Sequence, residues 1–297
     1  MPAVSPEILK QVKGIELRTR GLVGSLFAGE YRSVFRGQGM EFAEVRAYQH
    51  GDDFRAIDWN VSARLASPYV KTFTEERELT LLLVVDQSAS TRVGTPVTKA
   101  ARSVEVAAVL ALAGAREQDR VGALLFSDRV EHVVRPAKGR RHALRLIRDL
   151  LAFESTRRGT NLLQAIHFAS RVLAHRGVVV VLSDFLAEGW ERALRELAVR
   201  HEVIAVTVDD PREDDPPAGG WVELEDAETG RRALVNTGSA AALRRWRAAA
   251  QARRAQRAER LLGAGVEHIA LTVATDYGIV LRRAFARRLR RRGARPR

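Results

Sequence analysis

The chain has 297 residues and no cysteine, and its 49 Lys and Arg residues outnumber its 36 Asp and Glu residues, giving a net charge of +13 at pH 7. The absence of cysteine excludes disulfides, thiolate metal sites and a cysteine nucleophile. No apolar run approaches the ~20 residues needed to cross a bilayer, and residues 1–20 lack the apolar stretch of a secretory signal. We expect a cytoplasmic protein, with peripheral membrane contact left open.

The N-terminal part of the chain contains a segment in which charged side chains are interleaved with aromatic ones. It runs through residues 37–42, 44–48, 51–59 and 62–64, and the third stretch reads Gly-Asp-Asp-Phe-Arg-Ala-Ile-Asp-Trp. Such a segment favours a structural subdomain fixed by ion pairs. A recognition surface for a partner is the alternative, because aromatic residues and Arg are common interface anchors. We predict a small N-terminal α/β extension over residues 1–78.

A polar motif follows the first buried strand of the main domain. Residues 79–85 are apolar without alternation, which is typical of a strand buried on both faces of a parallel sheet. Directly after it come Asp86, Ser88 and Ser90. Ligands of open α/β sheets bind outside the carboxyl ends of the strands, and hard oxygen donors suit Mg²⁺ better than zinc or copper. The three residues are candidate metal ligands, although each type alone is more often a turn or cap residue.

The elements that follow alternate between helix and strand. Predicted helices cover residues 97–117 and 144–151, and two strands, 121–126 and 130–134, flank a hairpin turn. Thr160 and Asn161 precede a further helix, where a hydroxyl or amide is ordinary N-capping. A second apolar run, residues 177–183, ends in Asp184.

The C-terminal third continues the alternation. Its predicted elements are a helix at 190–199, a strand at 203–208, a hairpin at 221–225 and 232–236, an Arg-rich helix at 243–262, a strand at 266–273 and a helix at 277–289. The acidic, proline-rich residues 209–217 favour a solvated loop, with extra carboxylates near the metal as the alternative. Alternating strands and helices predict a mostly parallel sheet with helices on both faces.

Three motifs together resemble the metal-ion-dependent adhesion site of von Willebrand factor A domains. They are Asp-x-Ser-x-Ser after the first strand, Gly-Thr-Asn before a middle helix and Ser-Asp on a later strand, and the resemblance covers residues 79–290. It implies a von Willebrand factor A-like, Rossmann-like α/β fold and a site for Mg²⁺ or Mn²⁺. The implied ligands are Asp86, Ser88, Ser90, Thr160 and Asp184, with the hydroxyls in contact with the ion and the aspartates acting directly or through water.

The N-terminal segment resembles the signature of a bacterial family of unknown function whose members carry a von Willebrand factor A-like core. Those members are often encoded beside MoxR-type AAA ATPases, and many have transmembrane helices ahead of this segment. The resemblance implies an adaptor or chaperone-like module that docks an acidic residue of its partner on the metal. The partner is expected to be such an ATPase or its client.

An enzyme is the alternative to a binding module. A metal-dependent hydrolase or phosphotransfer enzyme could use the same carboxylates. A haloacid dehalogenase-type phosphotransferase, however, needs a second Asp two residues after the first, where this chain has Ser88. The sequence also has no glycine-rich phosphate loop. We therefore expect no catalytic residues and no cofactor other than the divalent cation.

The positive charge invites a nucleic-acid hypothesis. Nearly all the basic residues are Arg, which together with abundant Ala, Gly and Val indicates a GC-rich genome. Much of the charge lies in residues 244–260 and 282–292, on helix faces predicted to be exposed. The basic tail, residues 291–297, could bind anionic lipid or nucleic acid without specificity. We expect no specific nucleic-acid recognition.

Overall fold

The computed structural model describes residues 6–27, 41–74, 79–94, 96–216 and 219–293. The chain divides into two compact units. One comprises Phe35–Leu79, and the other joins Met1–Val34 to Thr80–Arg297. The predicted start of the signature segment, residues 37–40, and the end of the basic tail, residues 294–297, lie outside the described residues.

A six-stranded sheet forms the centre of the larger unit, in the order β10-β7-β6-β3-β4-β5. All neighbouring strands are parallel except β4 and β5, which are antiparallel. The strands are β3 (Thr80–Asp86), β4 (Arg120–Phe126), β5 (Val130–Ala137), β6 (Val178–Leu182), β7 (Glu202–Asp209) and β10 (Glu267–Thr272). Every residue of β6 is buried, as its unbroken apolar run predicts. The predicted mostly parallel α/β sheet is confirmed.

Helices cover both faces of this sheet. On one face, α6, α7 and the end of α9 complete an apolar core with β3, β4 and β6. On the other face, the buried helix α4 packs on β3, and α1 and α5 pack on α4. The helices of this unit are α1 (Pro6–Phe27), α3 (Ala89–Arg92), α4 (Lys99–Arg116), α5 (Arg140–Ala152), α6 (Leu162–Val172), α7 (Glu191–Arg200), α8 (Pro211–Asp214), α9 (Ala240–Gly263) and α10 (Tyr277–Gly293).

Helix α1 belongs to the larger unit, although the sequence-based division places it in a separate N-terminal extension. Val12, Ile15 and Thr19 fall at helical spacing and are buried, and the Thr19 hydroxyl donates to the Ile15 carbonyl at 2.7 Å. These residues form the stripe that packs on α4 and α5. The boundaries of the two compact units therefore differ from the single boundary predicted after residue 78.

The smaller unit is a hairpin with two short helical segments. It consists of β1 (Glu41–Ala47) paired antiparallel with β2 (Tyr69–Thr74), a 3-10 turn (Phe54–Ala56) and α2 (Trp59–Leu65). Arg46 donates to both carboxylate oxygens of Asp52, at 2.8 and 2.7 Å, and this contact lowers the Asp52 pKa. The charged residues of the signature thus brace a loop, as the structural reading of the segment predicts.

A second hairpin, β8 (Trp221–Glu225) with β9 (Arg232–Asn236), forms a separate two-stranded sheet in the larger unit. Its turn contains Gly230 at φ +70°, a conformation that favours glycine. The predicted hairpin around Thr229 and Gly230 is confirmed. None of the helices in the described part of the chain combines the length and apolar character that a bilayer span requires.

Candidate functional site

Asp86 lies at the carboxyl end of β3 and is 1% exposed. One carboxylate oxygen accepts the Ser88 backbone N–H at 2.9 Å, and the other accepts the Ser183 hydroxyl at 2.6 Å. Ser183 and Asp184 directly follow β6, which is parallel to β3 and pairs with it. The register of two buried parallel strands therefore brings Asp86 and Asp184 to the same edge of the sheet.

The two serines connect these carboxylates. Ser88 is the N-cap of α3, and its hydroxyl lies 3.2 Å from the hydroxyl of Ser90, which in turn donates to Asp184 Oδ2 at 3.1 Å. Adjacent ligands of an octahedral Mg²⁺, each about 2.1 Å from the ion, are separated by about 3.0 Å. The spacing of these oxygens is close to that of neighbouring ligands on one ion.

Thr160 lies on the neighbouring loop, which backbone hydrogen bonds hold beside α3 and β4. Ala89 N–H donates to the Arg158 carbonyl at 2.9 Å, and Asn161 N–H donates to the Ser127 carbonyl at 2.7 Å. Asn161 caps α6, as predicted for this residue. The Thr160 hydroxyl donates to Glu228 Oε1 at 2.6 Å. Hydrogen bonds thus link four of the five predicted residues, namely Asp86, Ser88, Ser90 and Asp184. The fifth, Thr160, is hydrogen-bonded to the β8–β9 hairpin instead.

A buried lysine also belongs to the site. Lys99, in the first turn of α4, is 2% exposed, and its ammonium lies 3.2 Å from Asp184 Oδ2 and 2.7 Å from Glu213 Oε1. Burial disfavours the charged amine, but the carboxylates of Asp184 and Glu213 outweigh it and raise the Lys99 pKa. Lys99 is thus a fixed internal cation beside the predicted ligands.

Among the described residues, Asp86 has no cationic partner comparable to the one that Asp184 has in Lys99. Burial, reinforced by the charge of Asp184, raises the Asp86 pKa to about 7. A divalent cation at this position would favour the ionised form of Asp86. The described residues contain no group of three or more His, Asp or Glu side chains that could hold a metal. The predicted set depends on hydroxyl as well as carboxylate oxygens, and this all-oxygen donor set fits Mg²⁺ or Mn²⁺.

Arg257 of α9 holds Asp184 from the other side. Its guanidinium donates to the Asp184 carbonyl at 2.8 Å and to both oxygens of Asp209, at 2.9 and 2.6 Å. Arg257 is 5% exposed, so the prediction that the Arg residues of this helix lie on exposed faces is wrong at this position. The salt bridge to Asp209 explains its burial, because a buried charge requires a partner.

A cavity of about 910 Å³ opens beside these residues. Its lining includes Ser90, Lys99, Thr160, Asp210 and Glu228. Asp210 and its neighbour Asp209 are buried, so the predicted solvated loop is wrong at its start. Both residues come directly at the end of β7, where strand geometry carries them to the site. Residue 217 of the predicted loop lies outside the described residues.

Several residues of the site were not identified from the sequence. Lys99, Arg257 and Glu228 belong to three separate segments that only the fold brings together. Glu213 lies in the acidic loop 209–217, for which carboxylates near the metal were the alternative prediction. One signal was available for Lys99. A cation in the first turn of an otherwise apolar helix opposes the helix dipole and so indicates a nearby anion.

The fold and site define an α/β protein with a cavity at the carboxyl ends of a mostly parallel sheet, and carboxylates and hydroxyls line this cavity together with apolar side chains. The chain belongs to the family described as Protein of unknown function DUF58, whose profile matches residues 44–258. It is similar to the uncharacterized protein Rv1480 of Mycobacterium tuberculosis, with 34% identity over 296 residues, covering 97% of this chain and 92% of that protein. It also matches the uncharacterized protein MAV169 of Mycobacterium avium, with 46% identity over 71 residues, covering 24% of this chain and 42% of that protein.

Solved structures with similar folds have low sequence identity to this chain. The conserved hypothetical protein BatB from Bacteroides thetaiotaomicron aligns with a TM-score of 0.46 and 12% identity, covering 71% of this chain and 99% of that one. The SpRpn10 VWA domain aligns with a TM-score of 0.39 and 12% identity, covering 71% of this chain and 95% of that domain.

Proposed function

We propose that the protein is a Mg²⁺-dependent protein-binding module, an adaptor or chaperone-like protein that docks an acidic residue of its partner. The observation that carries this proposal is the hydrogen-bonded set of Asp86, Ser88, Ser90 and Asp184 at the ends of two adjacent strands. Thr160 lines the same cavity as Ser90, one residue of this set. A bound Mg²⁺ would supply a positive charge and an open coordination position for a carboxylate.

The protein's own residues prepare the site for this role. Ser88, Ser90 and Thr160 are neutral donors, so they would leave most of the cation's charge available to a partner. Ser183 fixes the Asp86 carboxylate, at 2.6 Å, and Arg257 fixes the Asp184 backbone, at 2.8 Å. These contacts fix Asp86 and the Asp184 backbone before an ion binds, which lowers the cost of ordering them.

For the partner, we propose a MoxR-type AAA ATPase or one of its clients. The proposal rests on the resemblance of the chain to a family often encoded beside such ATPases. The cavity of about 910 Å³ is large enough for several side chains of a bound segment. A cytoplasmic location stays a prediction.

A metal-dependent hydrolase or phosphotransfer enzyme is the second candidate. One observation favours it, since a carboxylate with a pKa near 7, such as Asp86, can exchange protons at neutral pH. Against it, a haloacid dehalogenase-type phosphotransferase needs a second Asp two positions after the first, and this chain has Ser88 there. The Ser88 hydroxyl lies next to that of Ser90. Turnover that required both Mg²⁺ and Asp86 would favour the enzyme.

Isothermal titration with Mg²⁺ and Mn²⁺ tests the binding proposal. We expect saturation near one ion per chain, loss of the signal in Asp86→Ala, and no change in Asp128→Asn. Asp128 is a suitable control because it follows the next strand, β4, and its side chain is 42% exposed. The same proteins are then mixed with a purified MoxR-type AAA ATPase. Binding that is lost with chelator and with Asp86→Ala supports docking through the ion, whereas chelator-insensitive binding contradicts it.

A further inference from the structure

Glu228, in the turn of the β8–β9 hairpin, contacts a predicted metal ligand. The Thr160 hydroxyl donates to Glu228 Oε1 at 2.6 Å, and both residues line the same cavity as Ser90. Residues 224–229 of the hairpin all line this cavity. The contact therefore places one of the chain's own carboxylates directly beside a predicted ligand.

Glu228 differs from the other glutamates of the hairpin. Glu223 and Glu225 pair with Arg232, at 3.6 and 3.1 Å. In the part of the chain that the structure describes, Glu228 has no cationic partner. Glu228 is half-buried and lines a cavity that also contains Asp210, Glu213 and the cation Lys99. A carboxylate oxygen is a ligand that Mg²⁺ and Mn²⁺ prefer.

The hairpin is built so that its turn positions Glu228. The Asp226 side chain accepts the backbone N–H groups of Glu228 and Thr229, at 2.9 and 2.8 Å, and Gly230 N–H donates to the Asp226 carbonyl at 2.8 Å. This network fixes the turn locally. The backbone of Glu228 is thus set by its own turn, while its side chain is free to reach the cavity.

The rest of the hairpin is loosely attached. No residue of β8 or β9 is buried. The base is fixed by Thr237, whose backbone N–H donates to the Gly220 carbonyl at 2.7 Å. Beyond its base, the hairpin is held by polar contacts such as Thr160 to Glu228 and Arg158 to Glu225, at 2.6 and 3.8 Å, so it can be displaced without disrupting the core.

We infer that Glu228 is the chain's own carboxylate ligand for the metal site, and that an acidic partner must displace it to dock. This inference rests on the proposed function, because it requires the divalent cation. The hairpin then acts as an internal competitor, because Glu228 offers the ion the same carboxylate group as the acidic residue of the partner.

Mn²⁺ titration followed by water-proton relaxation tests the inference, since it reports both affinity and the number of water molecules on the ion. The variants are Glu228→Gln, Asp86→Asn and, as the matched control, Glu223→Gln on the same hairpin. Glutamine can still accept the Thr160 hydrogen bond, so a merely structural role of Glu228 would leave both readouts unchanged. We expect Glu228→Gln to bind Mn²⁺ at least tenfold more weakly and with about one more water molecule, while Glu223→Gln matches the wild type.

Hydrogen exchange of residues 226–231 provides a second readout. Mn²⁺ should slow exchange there in the wild type and in Glu223→Gln, but not in Glu228→Gln. If Glu228→Gln does not fold, Glu228→Asp replaces it, with one methylene less and the charge retained. Mn²⁺ binding that is lost in Asp86→Asn but unchanged in the Glu228 variant overturns this inference alone. Absence of binding in the wild type overturns the proposed function as well.

Discussion

The raised pKa of Asp86 makes the stability of the folded protein depend on pH. The unfolded chain loses the Asp86 proton near pH 4, whereas the folded protein holds it to about pH 7 because of burial and the charge of Asp184. Between these values the folded state binds more protons, so the stability of the metal-free protein falls as pH rises. Asn carries no such proton, and we expect Asp86→Asn to be increasingly more stable than the wild type from pH 5 to pH 8.

Urea unfolding in the presence of chelator measures this difference. Chelator keeps the protein in the metal-free state, and Asp128→Asn serves as the exposed control, for which we expect no such trend. A stability difference for Asp86→Asn that is constant or shrinks with rising pH contradicts the account of the buried carboxylates.

Lys99 competes with a divalent cation for Asp184. Its ammonium lies 3.2 Å from the Asp184 carboxylate and carries a charge of the same sign as the ion. We expect Lys99→Gln to raise Mg²⁺ affinity at least tenfold, about 1.4 kcal/mol, when measured by calorimetry. Arg116→Gln, with the same loss of charge at the far end of the same helix, should leave the affinity unchanged. Equal or weaker Mg²⁺ binding by folded Lys99→Gln would show that the lysine supports the site instead.

Substitution by alanine should have opposite effects on stability at two glycines, one before a strand and one within a helix. A Cβ on Gly177, just before β6, would lie 2.6 Å from the Thr80 backbone carbonyl, and backbone cannot move aside cheaply. A Cβ on Gly14, within α1, would meet nothing within 4 Å. We expect Gly177→Ala to destabilise the protein by roughly 1–3 kcal/mol. We expect Gly14→Ala to stabilise it by about 0.5–1 kcal/mol, since Ala has the better helix propensity.

Thermal and urea unfolding of the two alanine variants measure these effects. The opposite signs make the pair its own control, because both changes add one methyl group. If Gly177→Ala were as stable as the wild type, β3 and the start of β6 would not be packed as closely as the structure shows.

Arg257 connects α9 to the strand ends. Its buried pair with Asp209 has two hydrogen bonds, and Arg254 lies 3.6 Å from the same carboxylate. Breaking a buried ion pair by removing one partner costs about 3–5 kcal/mol. Because Arg254 remains, we expect Arg257→Met to cost roughly 3 kcal/mol in urea unfolding. The exposed Arg245→Met should stay within about 0.5 kcal/mol of the wild type, and an equal effect of both would contradict the structural role of Arg257.

For the whole molecule, the sequence predicts the sheet better than it predicts the site's surroundings. Unbroken apolar runs identify β3 and β6 because both faces of a central parallel strand are buried. Asp86 ends one of these strands and Asp184 follows the other by two residues. Their grouping into one site came from the resemblance to the adhesion site of von Willebrand factor A domains, because local patterns give the strands but not their order in the sheet.

The rest of the site depends on long-range packing. Lys99, Arg257 and Glu228 come from two helices and a hairpin turn, and no local spacing relates them. The same holds for α1, because its buried residues pack on α4 and α5, which are far from it in the chain. Charge alone was also a poor guide, because the net charge of +13 gives no sign of a buried acidic site.

We propose that the oxygens of Asp86, Ser88, Ser90, Thr160 and Asp184 bind a divalent cation. A crystal structure of the protein soaked in Mn²⁺, with the anomalous signal of Mn²⁺ recorded, would locate the ion. We expect one anomalous peak within about 2.2 Å of the serine hydroxyls. The absence of a peak at this position at a saturating Mn²⁺ concentration, with Lys99 still bound to Asp184, would rule this metal site out.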